Sequence, residues 1–171
     1  MSSINIGIEE TEQPMVQQPT QTTNSVSKII EDLIKAVCDE STAEYQYIIA
    51  GHIARGAGYC DVVPEYEQHA NEEREHKLKL LKRLEQLGYK FSLDLIHLSS
   101  NGNSWTPITT SNISEQLGIL INAESEAQTF YKQIIEDARA ENDEITKQLI
   151  KQLLADECEH ETDLRRIAEG L

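Results

Sequence analysis

Aromatic residues, cysteines and long apolar runs are all scarce in this sequence of 171 residues. Aromatics make up 5% of the chain against 39% hydrophobic residues, a mixture typical of packed helices and not of a sheet-rich core. The three cysteines (Cys38, Cys60 and Cys158) contain no CxxC pair, which argues against a disulfide framework or a cysteine zinc site and for a reducing compartment. With no run near the roughly 20 apolar residues of a membrane span, and no secretion signal in the first 27 residues, we expect a cytoplasmic protein.

Positive charge is also scarce. The chain has 15 Lys and Arg against 30 Asp and Glu, a net charge of −15, and its pI is near 4.6. Such a surface repels phosphate backbones and anionic lipids and attracts cations. The charge balance therefore argues against unaided nucleic-acid or membrane binding and favours metal ions as partners.

The chain divides into a polar beginning and a longer remainder. Residues 1–26 are rich in Gln, Thr, Ser and Pro, and ordering them would cost entropy with little apolar burial in return. We therefore predict a flexible N-terminal tail over residues 1–26. Residues 27–171 have the length of one domain.

Apolar residues recur at spacings of three, four and seven in four stretches of the remainder, which predicts four helices. These run from Ser27 to Arg55, from Pro64 at a first helical position to Gly88, from Asn112 to about Ala138, and from Asp143 to about Ala168. The connection from Tyr89 to Ser111 is long enough to travel the length of a bundle, and its segment SLDLIHL is a candidate short helix. The predicted fold class is all-α: a four-helix bundle with one long crossover between helices 2 and 3.

An internal repeat with a fixed offset of 84 is the most informative feature. It pairs Glu40 with Glu124, Ala43 with Ala127, Tyr47 with Tyr131, Glu73 with Glu157, and His76 with His160. Each predicted helical hairpin therefore carries ExxAxxxY on its first helix and ExxH on its second.

The repeat places charge where the apolar pattern predicts the core. Three helical residues turn about 300°, so the Glu and His of each ExxH lie side by side. Four uncompensated carboxylates in a core would cost several kcal/mol per ion. Their charge of −4 matches two divalent cations with neutral histidines. The alternative is that six buried polar residues satisfy one another.

These motifs resemble the ferritin-like di-metal carboxylate proteins over about residues 27–171. The resemblance implies that Glu40 with His76, and Glu124 with His160, are terminal ligands of two metals, and that Glu73 and Glu157 bridge them. The implied metals are two iron ions per subunit, although an oxygen-rich site of this kind also suits manganese or zinc.

Within this family, the chain resembles the smaller cages. Eleven residues follow His160, all needed to complete the fourth helix, so we expect none of the fifth helix of ferritins and bacterioferritins. The within-bundle ligand set combined with this short form resembles the bacterioferritin-related, Dps-like thioferritins, a mini-ferritin group, and implies a dodecameric homo-oligomer.

Three departures from related groups matter. Arg74 stands where bacterioferritins carry a haem-ligating Met, so we expect no haem. The further Glu ligand of rubrerythrins is replaced by Ala127, and their CxxC domain is missing. The first basic residue is Lys28, unlike the Lys-rich tails of DNA-binding Dps proteins, which argues against direct DNA binding.

Several other residues carry two interpretations each. Cys38 and Cys158 flank the ligands and are either a redox pair, as the thioferritin resemblance implies, or ordinary thiols. Tyr47 and Tyr131 either bond to a ligand carboxylate or supply an electron, or they are ordinary core tyrosines. Glu44 and Glu161 are either acids on an iron entry path or solvated glutamates, and His69 and His52 are candidate accessory ligands. The outer positions of the second helix form a solvated face (Glu72, Glu75, Lys79 and Lys82).

The predicted function is that of a ferroxidase: Fe(II) is oxidised by hydrogen peroxide or oxygen, and Fe(III) is stored in a cage, which protects against oxidative stress. One alternative is a non-storing di-metal peroxidase or catalase, like rubrerythrin or manganese catalase. A second alternative is a structural or DNA-compacting protein whose metals only stabilise the bundle.

Overall fold

The computed structural model describes residues 27–91, 102 and 105–171 and contains four long helices. These are α1 (Lys28–Ile53), α2 (Tyr59–Gln86), α3 (Ile113–Ala140) and α4 (Glu144–Gly170). The predicted all-α bundle is confirmed. The predicted tail and the segment SLDLIHL lie outside the described residues. No described helix combines the length and the apolar character that crossing a membrane requires.

Polar side chains cap the helices as the sequence indicates. The Oδ1 of Asn112 accepts from the backbone N–H of Glu115 at 3.1 Å, and the carboxylate of Asp143 accepts from that of Thr146 at 3.0 Å. At the end of α2, Gly88 adopts a φ of +78°, which lets the N–H of Tyr89 reach the carbonyl of Leu84 at 3.0 Å.

The start of α2 differs from the prediction. We expected Pro64 at the first helical position, but α2 begins at Tyr59, and Pro64 lies inside the helix. Pro64 cannot donate to the carbonyl of Cys60, one turn earlier. Both residues are exposed, so water can replace that bond, and the helix extends further toward its N-terminus than proline alone suggests.

The connectivity requires the long crossover. α1 packs along α2, α3 packs along α4, and the two hairpins meet where α1 contacts α3 and α2 contacts α4. The N–H of Arg55 bonds to the carbonyl of Ser111 at 2.9 Å, so the end of α1 lies beside the start of α3. The chain leaving α2 must therefore travel the length of the bundle before α3 begins.

Two apolar clusters occupy the bundle interior and leave a gap between them. One contains Leu33, Leu80, Ile134 and Leu153, among others, and the second is built around Tyr66, Leu117 and Leu164. The polar residues of the repeat lie between these clusters.

At one end of the bundle, Arg83 joins α2 to α4. Its guanidinium donates two bonds to the carboxylate of Asp143, at 2.7 and 2.8 Å, and a third to the hydroxyl of Thr146 at 2.7 Å. Burial raises the pKa of Asp143, but the bonds from Arg83 and Thr146 outweigh it, and the pKa lies below its usual range. The pair is nearly buried, with Arg83 9% exposed.

We predict that Arg83→Ala lowers the free energy of unfolding by about 2–4 kcal/mol, because it leaves a carboxylate nearly buried and unpaired. Denaturant unfolding followed by circular dichroism measures this. Arg139→Ala, which removes an exposed pair with Glu136, is the control and should change stability by less than about 0.5 kcal/mol. Equal effects of the two substitutions would contradict the importance of the Arg83 contacts.

Candidate metal centre

The six polar residues of the repeat meet between the two apolar clusters. α1 supplies Glu40, α2 supplies Glu73 and His76, α3 supplies Glu124, and α4 supplies Glu157 and His160. None of the six is more than 4% exposed. The structure therefore brings together every residue of the predicted ligand set.

Their ligand atoms form two groups that share two carboxylates. The Nδ1 of His76 lies 3.3 Å from Glu73, 3.1 Å from Glu157 and 3.5 Å from Glu40. The Nδ1 of His160 lies 3.2 Å from Glu73, 3.3 Å from Glu157 and 3.9 Å from Glu124.

Within each group, all ligand atoms lie within 4.8 Å of one another. Glu73 and Glu157 belong to both groups, which is the position a bridging carboxylate requires. Several of these buried atoms have no hydrogen-bond partner among the described residues, including the Nδ1 atoms of both histidines and the Oε1 atoms of Glu73 and Glu157. Two metal ions at the centre would give these inward-facing atoms the partners that the neighbouring side chains do not provide.

Each histidine is held in place by a carboxylate from the opposite hairpin. The Nε2 of His76 lies 3.1 Å from Asp156, and the Nε2 of His160 lies 2.9 Å from Glu72. A bond at Nε2 turns Nδ1 toward the centre, as second carboxylates commonly do for metal-binding histidines. The sequence pattern did not indicate Asp156 and placed Glu72 on a solvated face, yet the offset of 84 relates these two residues as well.

Burial and neighbouring charges shift the pKa values of the six central residues in opposite directions. Burial, followed by the negative charges of Glu73 and Glu157, raises the pKa of Glu40 well above its usual range. The pKa of Glu124 is raised in the same way, by burial and by the same two charges. Burial also acts to raise the pKa values of Glu73 and Glu157, but the imidazoles of His160 and His76 close beside them outweigh it, and both pKa values lie below normal. The histidine pKa values are correspondingly raised, against the effect of burial.

The two repeat tyrosines differ in their contacts. The hydroxyl of Tyr47 donates to the carboxylate of Glu124 on the opposite hairpin. The hydroxyl of Tyr131 is buried and has no hydrogen-bond partner in the described ranges. The contact expected of a tyrosine with a ligand carboxylate is therefore present for Tyr47, on one side of the centre.

The predicted cysteine pair has unequal surroundings. Cys38 is buried, and burial, followed by the charge of Asp39, raises the pKa of its thiol to about 11. Cys158 is exposed. A redox role for Cys38 and Cys158 stays a prediction, and the raised pKa disfavours the reactive thiolate at Cys38.

The predicted accessory residues lie in different surroundings. Glu44 pairs with Lys77, and Glu161 accepts from Gln128 at 2.6 Å, so both acids have polar partners. His52 is exposed at the end of α1. The ring of His69, by contrast, stacks on His160 with a centroid distance of 4.2 Å.

A cavity of about 100 Å³ reaches the centre between α1 and α3. It is lined by the carboxylates of Glu40 and Glu124 and by the small side chains of Ala43 and Ala127. Because these alanines are partners in the repeat, both hairpins contribute small side chains to this opening beside the centre.

Comparison with known proteins agrees with this architecture. The pattern of the ferritin-like domain family matches residues 30–171. The structure is similar to a dodecameric thioferritin, the bacterioferritin-related protein from Bacteroides fragilis, with 29% identity, a TM-score of 0.77, and coverage of 81% of this chain and 83% of that one. No match was found among curated proteins.

Two further solved structures show the same fold at lower identity. Dps from Staphylococcus aureus is 12% identical with a TM-score of 0.77, covering 81% of this chain and 93% of that chain. Dps from Thermosynechococcus elongatus is 16% identical with a TM-score of 0.76, covering 81% and 88%.

We predict that binding Zn(II) at the centre releases protons. The pKa values of Glu40, Glu124, His76 and His160 are all raised, which favours their protonated forms, and metal binding requires the deprotonated ligands. Affinity for Zn(II) should therefore rise with pH. Calorimetric titration in buffers of different ionisation enthalpy counts the protons, and release of none would contradict these assignments.

Proposed function

Because the chain belongs to the ferritin-like domain family, we propose that it is a mini-ferritin whose ferroxidase centre oxidises Fe(II) with hydrogen peroxide or oxygen. The Fe(III) product is stored in a cage, and removing iron and peroxide together protects against oxidative stress. The observation that carries this proposal is the pair of ligand groups that share Glu73 and Glu157.

Each ligand has a distinct role in binding the Fe(II) substrate. Glu40 and His76 hold one ion, Glu124 and His160 hold the other, and Glu73 and Glu157 bridge both. Two Fe(II) ions supply one electron each, which matches the two electrons that reduce one hydrogen peroxide to water. The shared carboxylates keep the two ions close enough to react as a pair.

Neighbouring residues keep this geometry. Asp156 and Glu72 orient the two imidazoles through Nε2, and Tyr47 holds the carboxylate of Glu124. The opening beside Ala43 and Ala127 admits the oxidant. The protein thus supplies fixed ligands, charge compensation and access.

Storage requires assembly, for which we propose a dodecamer like that of the Bacteroides fragilis thioferritin. Twelve chains of charge −15 carry −180, a strong attraction for Fe(II). The same charge argues against direct DNA binding.

A non-storing di-metal peroxidase or catalase is the second candidate. One observation favours it: all six proposed ligands come from a single chain, so the chemistry itself does not require a cage. The assembled size and the iron content distinguish the two functions.

We predict that the double substitution Glu73→Ala and His160→Ala abolishes rapid Fe(II) oxidation and leaves assembly largely intact. It removes one bridging and one terminal ligand. Stopped-flow absorbance of Fe(III) formation after mixing with peroxide measures the rate. The matched control combines Glu67→Ala with His52→Ala, which removes an exposed glutamate and an exposed histidine and should oxidise iron normally. Unchanged kinetics in the first variant would refute the proposed site.

We predict that the protein loaded with excess Fe(II) and peroxide elutes as a particle near 230 kDa, which is twelve chains of 19.3 kDa. It should carry far more than two irons per chain. Size-exclusion chromatography with light scattering and iron analysis measures both quantities. A dimer-sized species with two metals per chain would instead support the non-storing enzyme.

A further inference from the structure

His69 is a buried polar residue that the di-metal centre does not use. It is 0% exposed, and neither ring nitrogen makes a hydrogen bond within the described part of the chain. A buried imidazole whose ring nitrogens make no hydrogen bond is costly, so its presence calls for a ligand or another reason.

Packing does not require a histidine at this position. The offset of 84 relates His69 to Leu153 and Glu65 to Leu149 in the other hairpin. Leu153 is fully buried in the apolar cluster around Leu33. The polar pair on α2 therefore replaces leucines that serve at the equivalent positions of α4.

Two carboxylates lie around the buried ring. The Nε2 of His69 lies 3.2 Å from the Oε1 of Glu65, one turn earlier on α2. Asp163 on α4 completes a group in which all three ligand atoms lie within 4.8 Å of one another. Ligands at adjacent corners of a metal ion with bonds of about 2.1 Å are about 3 Å apart, which matches the 3.2 Å between the His69 and Glu65 atoms.

We propose that Glu65, His69 and Asp163 bind a third divalent cation, between α2 and α4. One imidazole and two carboxylates form a donor set for Fe(II), Mn(II), Co(II) or Zn(II). Asp163 also pairs with Arg166, whose side chain is 73% exposed, and such an exposed pair is readily exchanged.

A second possible group, His69 with Glu72 and His160, fits less well. The Nε2 of His160 is already bonded to Glu72, and its Nδ1 faces the di-metal centre. The group with Glu65 and Asp163 shares no residue with that centre, so the third site does not depend on the proposed ferroxidase activity.

The third site adjoins the centre at His160. The stacked rings of His69 and His160 lie between the third site and the di-metal centre. Asp163 also lines a surface groove together with Glu72 and Asp156. A cation bound there occupies a position between this acidic groove and the buried ligands.

The test counts Co(II) ions bound per chain by equilibrium dialysis of the full-length protein. We expect three in the unmodified protein and two in the variant that combines Glu65→Gln with Asp163→Asn. The control combines Glu75→Gln with Glu159→Gln, two exposed acids of the same groove, and should bind three. Equal stoichiometry in the two variants would overturn the proposal.

A variant without the di-metal carboxylate ligands tests the third site independently of the ferroxidase centre. In a protein carrying Glu40→Gln, Glu73→Gln, Glu124→Gln and Glu157→Gln, we expect one Co(II) per chain that is lost when Glu65→Gln and Asp163→Asn are added. An anomalous difference peak for Co(II) beside the Nε2 of His69 would identify the ligands. The absence of that ion in this background would refute the third site. In the unmodified protein, one Co(II) beside His69 and none at the six central residues would contradict the di-metal centre alone.

Discussion

The burial of four carboxylates at one level of the bundle is the constraint on which the rest of the structure depends. Each lies on a different helix, and none is more than 4% exposed. Such groups are tolerated only when opposite charges or protons compensate them locally. The helices must therefore be long, aligned and fixed in register, and the apolar clusters on both sides of the centre provide that alignment.

The repeat explains how one design serves both halves of the site. Each hairpin contributes two buried glutamates, for which we propose terminal and bridging roles, and a histidine, and each also supplies the acid that bonds to the other hairpin's histidine. Because Glu72 and Asp156 act across the interface, neither hairpin can form a complete histidine position alone. The site is therefore a property of the assembled pair of hairpins.

The sequence alone predicted most of the fold, because the ligands repeat at a fixed offset and the apolar residues follow helical spacing. It predicted the six central residues that the structure brings together. It failed where the outcome depends on packing between helices: Glu72 has the spacing of a surface residue, yet the approach of α4 brings it to His160. The predicted start of α2 was wrong because the preference of proline for the first helical turn is a local signal. The helix begins instead directly after the turn at Gly58.

Protons and metal ions compete for the same buried ligands. Burial and the neighbouring carboxylates raise the pKa values of Glu40 and Glu124, and the central carboxylates raise those of His76 and His160 against the effect of burial. Each shift favours the protonated form of its group, which lowers the negative charge enclosed between the apolar clusters. In the proposed function, a bound ion would replace these protons as the compensating charge. Such a centre suits a substrate ion, because protons can compensate the carboxylates once the ion has left.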